Sequence, residues 1–125
     1  MKALTKAEEQ IMQLLWELNE AFVHDIIARL PEPKPAYNTV STIVRILEKK
    51  GFVGHDAFGK THRYHPIVDK KTYSKHLMKG VMNNYFSNSF QQLVSFFSHD
   101  KTLSLNELEE IKRLIEAEIQ KKEKS

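Results

Sequence analysis

Residues 37–53, YNTVSTIVRILEKKGFV, decide the fold class of this chain, because they can be interpreted as a strand or as a helix. They are crowded with β-branched residues, which favour strands. An alternating strand, however, would mix polar and apolar side chains on both of its faces. Helical spacing instead aligns four apolar side chains into one stripe: Val40, Ile43, Val44 and Leu47. The segment is therefore predicted to be a helix, since burial of this stripe outweighs the weak helix propensity.

The opposite face of this helix carries short polar side chains and two cations. Rotation by about 100° per residue places Asn38, Thr42, Arg45 and Lys49 there, flanked by Thr39 and Ser41. Gly51 follows the helix at a position where glycine commonly ends one.

Two further helices are predicted before this segment. The capping box T-x-x-E begins a helix over about residues 6–19, and an apolar-periodic segment over residues 22–30 gives a second one. The second helix ends at residues 31–35, PEPKP, because three prolines in five residues cannot continue a helix.

A β-hairpin is predicted after the third helix. Residues 52–55 are strand-like, residues 56–59 form a turn in which Gly59 can take a positive φ, and residues 61–66 alternate until Pro66. Three helices followed by a hairpin is the order of a winged helix-turn-helix domain, which we predict over residues 1–68. In that design the third helix lies in the DNA major groove, and the hairpin, or wing, reaches the adjacent backbone.

The outward face of the third helix has the chemistry that binding to duplex DNA requires. Short hydroxyls allow close approach to base edges, threonine methyls can pack on thymine, and arginine can bind guanine through two hydrogen bonds. Candidate phosphate-binding cations are Lys49, Lys50, Lys60 and Arg63. Residues 36–66 also hold five basic residues against two acidic ones, which favours an anionic partner. The alternative is that this helix face only contacts solvent. The presence of only one arginine on the face would fit that alternative.

Residues 69–125 are predicted to form a helical dimerisation region, so the fold is mainly α with one small hairpin. Helices are expected over about residues 69–84, over 90–97, and after the capping box S-x-x-E at residues 104–107. The apolar stripes of the last two helices have no obvious partner, and an exposed patch of this kind usually marks an interface. The residues expected to mediate homodimerisation are Leu93, Phe97, Leu108, Ile111, Ile115 and Ile119. The alternative is that both helices fold back onto the first domain.

Composition argues against several classes of function. The chain has no cysteine, which fits a cytoplasmic location and leaves no thiolate metal site. It has no signal peptide and no apolar run of about 20 residues, so membrane insertion is not expected. No phosphate-binding loop, nucleophile elbow or HExxH motif is present, so neither an enzyme nor a cofactor is predicted. His55, His62 and His65 could bind a metal only with Asp56, and we interpret them as wing-surface residues.

Four segments occur in order along the chain: LTKAEEQIMQLLWEL, YNTVSTIVRILEKKGFV, GKTHRYHPIV and LSLNELEEIKRLI. Together they resemble the penicillinase-repressor family (BlaI/MecI/CopY type) over about residues 4–120. The resemblance implies a homodimeric bacterial repressor in which each winged helix binds one half of a double-stranded operator dyad. In the family, operators precede genes for β-lactam resistance, copper handling or the cognate sensor.

The resemblance also implies roles for individual residues. Thr39 and Thr42 match positions that read DNA in the family, and Lys60 matches a basic position of the wing. Ser41 and Ile46 stand where several family members carry basic residues. We expect Arg45 to supply the missing charge, because it faces outward better than Ile46 on the helical wheel.

Induction in the β-lactam-responsive members follows cleavage of the C-terminal region through a membrane sensor-protease pathway, at an Asn-Phe bond. The matching stretch here contains Ser95, Phe96 and Phe97, with no asparagine before phenylalanine. A cut near these residues is the corresponding expectation. The cysteine motif of the copper-responsive members is missing. A winged-helix module that binds another protein, without DNA binding, is the alternative function.

Overall fold

The computed structural model describes all 125 residues. The elements in chain order are α1 (Lys6–Leu18), β1 (Ala21–Phe22), α2 (Val23–Arg29), α3 (Tyr37–Lys49), β2 (Val53–Phe58), β3 (Thr61–Pro66), α4 (Lys70–Tyr85), α5 (Phe90–Ser98) and α6 (Leu105–Lys124). The chain divides into two compact units, residues 1–77 and residues 78–125. The division lies within α4, whereas the boundary at residue 68 stays a prediction.

The core of the first unit lies between α1, α2, α3 and the sheet. It is built from the apolar faces that the helical and strand periods predict, and its fully buried side chains include Met12, Leu15, Ile26, Val40, Val44, Leu47, Phe52 and Val53. Ile43 of the predicted stripe is only half-buried and packs at the edge of this core. The helical interpretation of residues 37–49 is therefore confirmed: burial determines the structure of a segment whose β-branched residues favour a strand.

The loop between α2 and α3 is held by a lysine as well as by prolines. The Nζ of Lys34 donates hydrogen bonds to the carbonyl oxygens of Ile27, Ala28 and Leu30, at 3.1, 3.0 and 2.8 Å. The last carbonyl groups of a helix have no partner within the helix, and a cation there also complements the helix dipole. Lys34 thereby closes the end of α2 and fixes the point from which α3 begins.

The wing is part of a three-stranded antiparallel sheet with the order β1-β3-β2. Two details differ from the predicted hairpin. The short strand β1 was not predicted, and it pairs Ala21 with Tyr64 and Phe22 with Arg63. The turn is also shorter than the predicted residues 56–59, because β2 continues to Phe58 and pairs there with Thr61. Gly59 takes the expected positive φ, at +63°.

The second unit consists of the end of α4, then α5 and α6. Ser89 caps α5, and Ser104 with Glu107 forms the predicted capping box of α6. Neither α5 nor α6 has a buried residue, since Leu93 and Leu108 are half-buried and Phe97, Ile111, Ile115 and Ile119 are exposed. None of the helices combines the length and apolar character that a bilayer span requires.

Candidate nucleic-acid interface

The outward face of α3 carries the short polar residues and cations that the sequence placed there. Asn38, Thr39, Thr42, Arg45 and Lys49 are all exposed. The hydroxyl of Thr42 donates a 2.8 Å hydrogen bond to the carbonyl oxygen of Asn38. This bond holds the hydroxyl against the helix backbone, so its lone pairs remain available to a partner. Neither Arg45 nor Lys49 forms an ion pair within the chain.

Two positions at the edge of this face differ from the helical-wheel analysis. Ser41 is only 8% exposed, so it lies towards the buried side of α3, and this burial disfavours its predicted contact with DNA. Ile46 is 38% exposed and faces solvent beside Arg45. The outward face of α3 therefore includes an apolar side chain next to its arginine, and this side chain could contact a thymine methyl group.

The two candidate cations of the wing have different environments. Lys60 is exposed at the turn between β2 and β3. Arg63 lies on β3 with its guanidinium 4.7 Å from the ring centre of Phe58 and its Nε 3.4 Å from Glu20 Oε2. Arg63 is thus already held by an aromatic ring and a carboxylate of its own chain, which makes it a weaker candidate for phosphate binding than the sequence indicated.

Lys50, the fourth candidate cation, binds groups of its own chain. Its Nζ donates to Glu8 Oε1 at 2.7 Å and to the carbonyl oxygen of Ala3 at 3.0 Å. Glu8 is itself part of the capping box of α1 with Thr5. Lys50 therefore joins the end of α3 to the start of α1, and because its charge is already paired, its predicted contact with phosphate is disfavoured.

A polar cluster that the sequence analysis missed connects α3 to the wing. His55 Nδ1 lies 2.5 Å from Glu48 Oε2, and the rings of His55 and His62 stack with centroids 4.1 Å apart. Burial raises the pKa of the neighbouring Tyr64 hydroxyl, the charge of Glu48 raises it further, and Arg45 opposes the shift. His65 reaches only Asp56, at 3.9 Å. No group of three His, Asp or Glu side chains is placed to hold a metal ion.

The pairing of His55 with Glu48 had no clear sequence signal. The two residues stand seven positions apart on different elements, and only the reversal of the chain at Gly51 brings them together. The cluster orients the wing relative to the exposed face of α3. The pair of His55 and Glu48 thus links the two elements that a winged helix presents to a duplex.

Comparison with known proteins identifies the family. The family model described as "Penicillinase repressor" matches residues 4–117. The chain belongs to the penicillinase repressor family. It is 26% identical over 113 residues to the methicillin resistance regulatory protein MecI of Staphylococcus aureus (strain N315), covering 90% of this chain and 92% of that protein. It is 23% identical over 114 residues to the penicillinase repressor of Bacillus licheniformis, covering 90% and 89%.

The fold comparison agrees with this membership of the penicillinase repressor family. The solution structure of the DNA-binding domain of the repressor BlaI superposes with a TM-score of 0.50 at 26% identity, and the match covers 58% of this chain and 94% of that domain. The predicted winged-helix class is therefore confirmed. The family is one of repressors rather than of enzymes.

The segment in which the sequence predicts a regulatory cut lies in α5. Ser95, Phe96 and Phe97 are all exposed, and the ring of Phe96 packs edge-to-face against both Phe86 and Phe97. α5 has only nine residues and no buried side chain. A helix this short has little intrinsic stability in water, and local opening would expose its backbone.

Proposed function

We propose that this penicillinase-repressor family member is a homodimeric transcriptional repressor of the bacterial cytoplasm that binds a double-stranded operator dyad. Each winged-helix unit reads one half-site, with α3 in the major groove and Lys60 of the wing on the adjacent backbone. The relatives named for methicillin resistance and penicillinase support the regulation of β-lactam-resistance genes or of their sensor-protease genes.

One observation carries this proposal: the face of α3 opposite the core is exposed and carries short polar side chains with an arginine. The apolar stripe of α3 is buried in the core, while Thr39, Thr42 and Arg45 are exposed and form no ion pair within the chain. The residues suit a major groove, because they combine small volume with donors and methyl groups that distinguish base edges. Asn38 and Lys49, at the two ends of the face, are suited to phosphate contacts that set the register.

The proposed dimer explains the exposed apolar side chains of the second unit. Ile111, Ile115 and Ile119 recur at intervals of four residues on α6, and Leu93 and Phe97 do so on α5. A stripe of large aliphatic and aromatic side chains exposed to water is unfavourable, and pairing with the same stripe of a second copy would bury it.

Induction is proposed to act on α5. Cleavage near Ser95, Phe96 and Phe97, through the protease pathway of a membrane sensor, would separate α6 from the rest of the chain. Because two linked half-sites bind through effective concentration, loss of the dimer would release the operator.

The salt dependence of duplex binding tests the proposal. The probe is the promoter fragment upstream of the protein's own gene, with a scrambled duplex of equal length as control. If Lys49 and Lys60 of both chains neutralise four phosphates, log K should fall against log salt with a slope of about −3.6 or steeper. Absence of duplex binding at low salt would contradict the proposal and favour a protein-interaction module.

A further inference from the structure

The first turn of α4 and the residue Val68 before it are fastened to α1 by one hydrogen bond each, together with a group of aromatic rings. Tyr73 is only 5% exposed, and its hydroxyl donates to Glu9 Oε2 at 2.6 Å. Its ring lies against Trp16 and Phe52, at centroid distances of 5.8 and 5.7 Å. The indole Nε1 of Trp16 donates to the carbonyl oxygen of Val68 at 2.9 Å. We name Glu9, Trp16, Val68 and Tyr73 the α4 latch.

The latch fixes both the start and the direction of α4. Trp16 holds the backbone just before the helix, Tyr73 holds its first turn, and between them Asp69 accepts a 2.7 Å hydrogen bond from the amide of Thr72. A helix held at one point could pivot, whereas two points of attachment remove that freedom. Burial and the hydrogen bond to Glu9 raise the pKa of Tyr73 to about 12, so its hydroxyl remains a donor at neutral pH.

Small changes in the direction of α4 would have large effects at its far end. From Tyr73 the helix continues to Tyr85, which is about 18 Å at 1.5 Å per residue. A rotation of about 10° at the latch would displace the end of the helix by about 3 Å, close to the rise of one DNA base pair. The residues proposed for dimerisation follow α4 in the chain. Those residues are joined to the winged helix through α4.

We propose that Tyr73, held by Glu9, is a positioning residue that sets the half-site spacing that the repressor accepts. This inference rests on the proposed function, since it requires a dimer on an operator dyad. Tyr73 is a residue of α4, and its partners are Glu9 and Trp16 of α1 and Phe52, none of which is proposed to read DNA. Its effect would appear only when both half-sites are bound together.

The test compares operators of different spacing with the full-length protein. The probe is a dyad selected by the wild-type protein from a random duplex library, together with two derivatives that have one base pair inserted or deleted at the centre. The wild-type protein should bind the derivatives about tenfold or more weakly, because a changed spacing removes part of the avidity of linked sites. The variant Tyr73→Phe keeps the ring but lacks the hydroxyl, and it should lose about threefold or less.

Three further variants separate positioning from folding. Tyr85→Phe removes a hydroxyl from the same helix at a residue that is 78% exposed, and it should behave as the wild type. Glu9→Gln keeps an acceptor for Tyr73 and should retain the wild-type spacing penalty, whereas Glu9→Ala should reproduce Tyr73→Phe. All variants should bind a duplex with a single half-site as the wild-type protein does.

The outcomes distinguish this inference from the proposed function. Equal spacing penalties for Tyr73→Phe and the wild type would overturn the inference. A loss of single half-site binding by Tyr73→Phe would also overturn it, because the residue would then support the fold of the winged helix. Failure of the wild-type protein to select any dyad would contradict the proposed function itself.

Discussion

At the residue scale, the ion pair of Lys50 and Glu8 is the clearest test of the fold. Their side chains are 22% and 6% exposed. The variant Lys50→Met would leave the Glu8 carboxylate buried without a cation, which costs about 3–5 kcal/mol in fully buried pairs. Because Lys50 is partly solvated, we expect a loss of about 2 kcal/mol in the free energy of unfolding, measured with urea. The neighbouring Lys49→Met should change it by less than about 0.5 kcal/mol.

The same pair makes the stability depend on pH. Burial by itself raises the pKa of Glu8, but the hydrogen bonds from Lys50 and Thr5 outweigh it and hold this pKa below the ordinary value of 4.5. The stabilisation is therefore complete above pH 4.5 and is lost as the pH falls through the lowered pKa. The difference in the free energy of unfolding between the wild-type protein and Lys50→Met should therefore shrink as the pH falls. A difference that persists unchanged to about pH 3 would contradict this account.

These residues also show where sequence analysis fails. Lys49 and Lys50 are adjacent and chemically identical, yet one is exposed and the other is bound to a carboxylate 42 positions away. Arg63 was predicted as a phosphate ligand, but its ring partner and its carboxylate lie on other strands and loops. A helical wheel or a strand alternation gives the direction of a side chain. Whether that direction meets solvent or a distant partner is decided by tertiary packing.

At the element scale, α3 should lose operator affinity when its outward side chains are shortened. Thr42→Ala and Arg45→Ala are each expected to cost about 1–3 kcal/mol, as base contacts do, without affecting dimerisation. Fluorescence anisotropy with the promoter fragment at one fixed salt concentration measures this loss. Ser41→Ala is the matched control, because Ser41 is only 8% exposed. If Ser41→Ala weakened binding as much as Thr42→Ala, the assignment of the outward face would be wrong.

The wing should respond differently to the loss of its two cations. Lys60→Gln should weaken binding to all sequences alike and reduce the salt slope by about one for each chain, as expected for a phosphate contact. Arg63→Gln should change the slope less and instead lower the free energy of unfolding by about 1 kcal/mol, because its cation–π contact with Phe58 is lost. Binding titrations at several salt concentrations and urea unfolding separate the two. If Arg63→Gln reduced the salt slope as much as Lys60→Gln and left the free energy of unfolding unchanged, Arg63 would be a DNA-binding residue.

The elements themselves were predictable to different degrees. The capping boxes and apolar periods predicted α1, α3 and α6, because each is long enough for its period to be recognised. The strand β1 has two residues and no period, and it exists only because it pairs with β3. The turn of the wing was placed too early since Asp56 suits a turn by type, while the pairing of β2 with β3 keeps Asp56 and Ala57 extended.

At the scale of the whole molecule, the two units differ in how they bury their apolar residues. The first unit has a core of its own, built from three helices and the sheet. The last two helices have wide apolar stripes and bury no residue of their own. The family model spans both units, so the C-terminal helices are a regular part of a penicillinase repressor. An apolar, regular surface of this kind fits the proposed pairing with a second copy of the chain.

The dimer proposal can be tested on α6 with a single charge. Ile111→Glu or Ile115→Glu would place a carboxylate in the proposed interface, where desolvation of an unpaired charge is strongly unfavourable. Either variant should sediment as a monomer at micromolar concentration and bind the operator about 10²-fold or more weakly, because the linkage of half-sites is lost. Gln120→Glu adds the same charge at an exposed polar position of α6 and should remain dimeric. A wild-type protein that sediments as a monomer at micromolar concentration would refute the dimer, and the exposed stripe of α6 would then require a different partner.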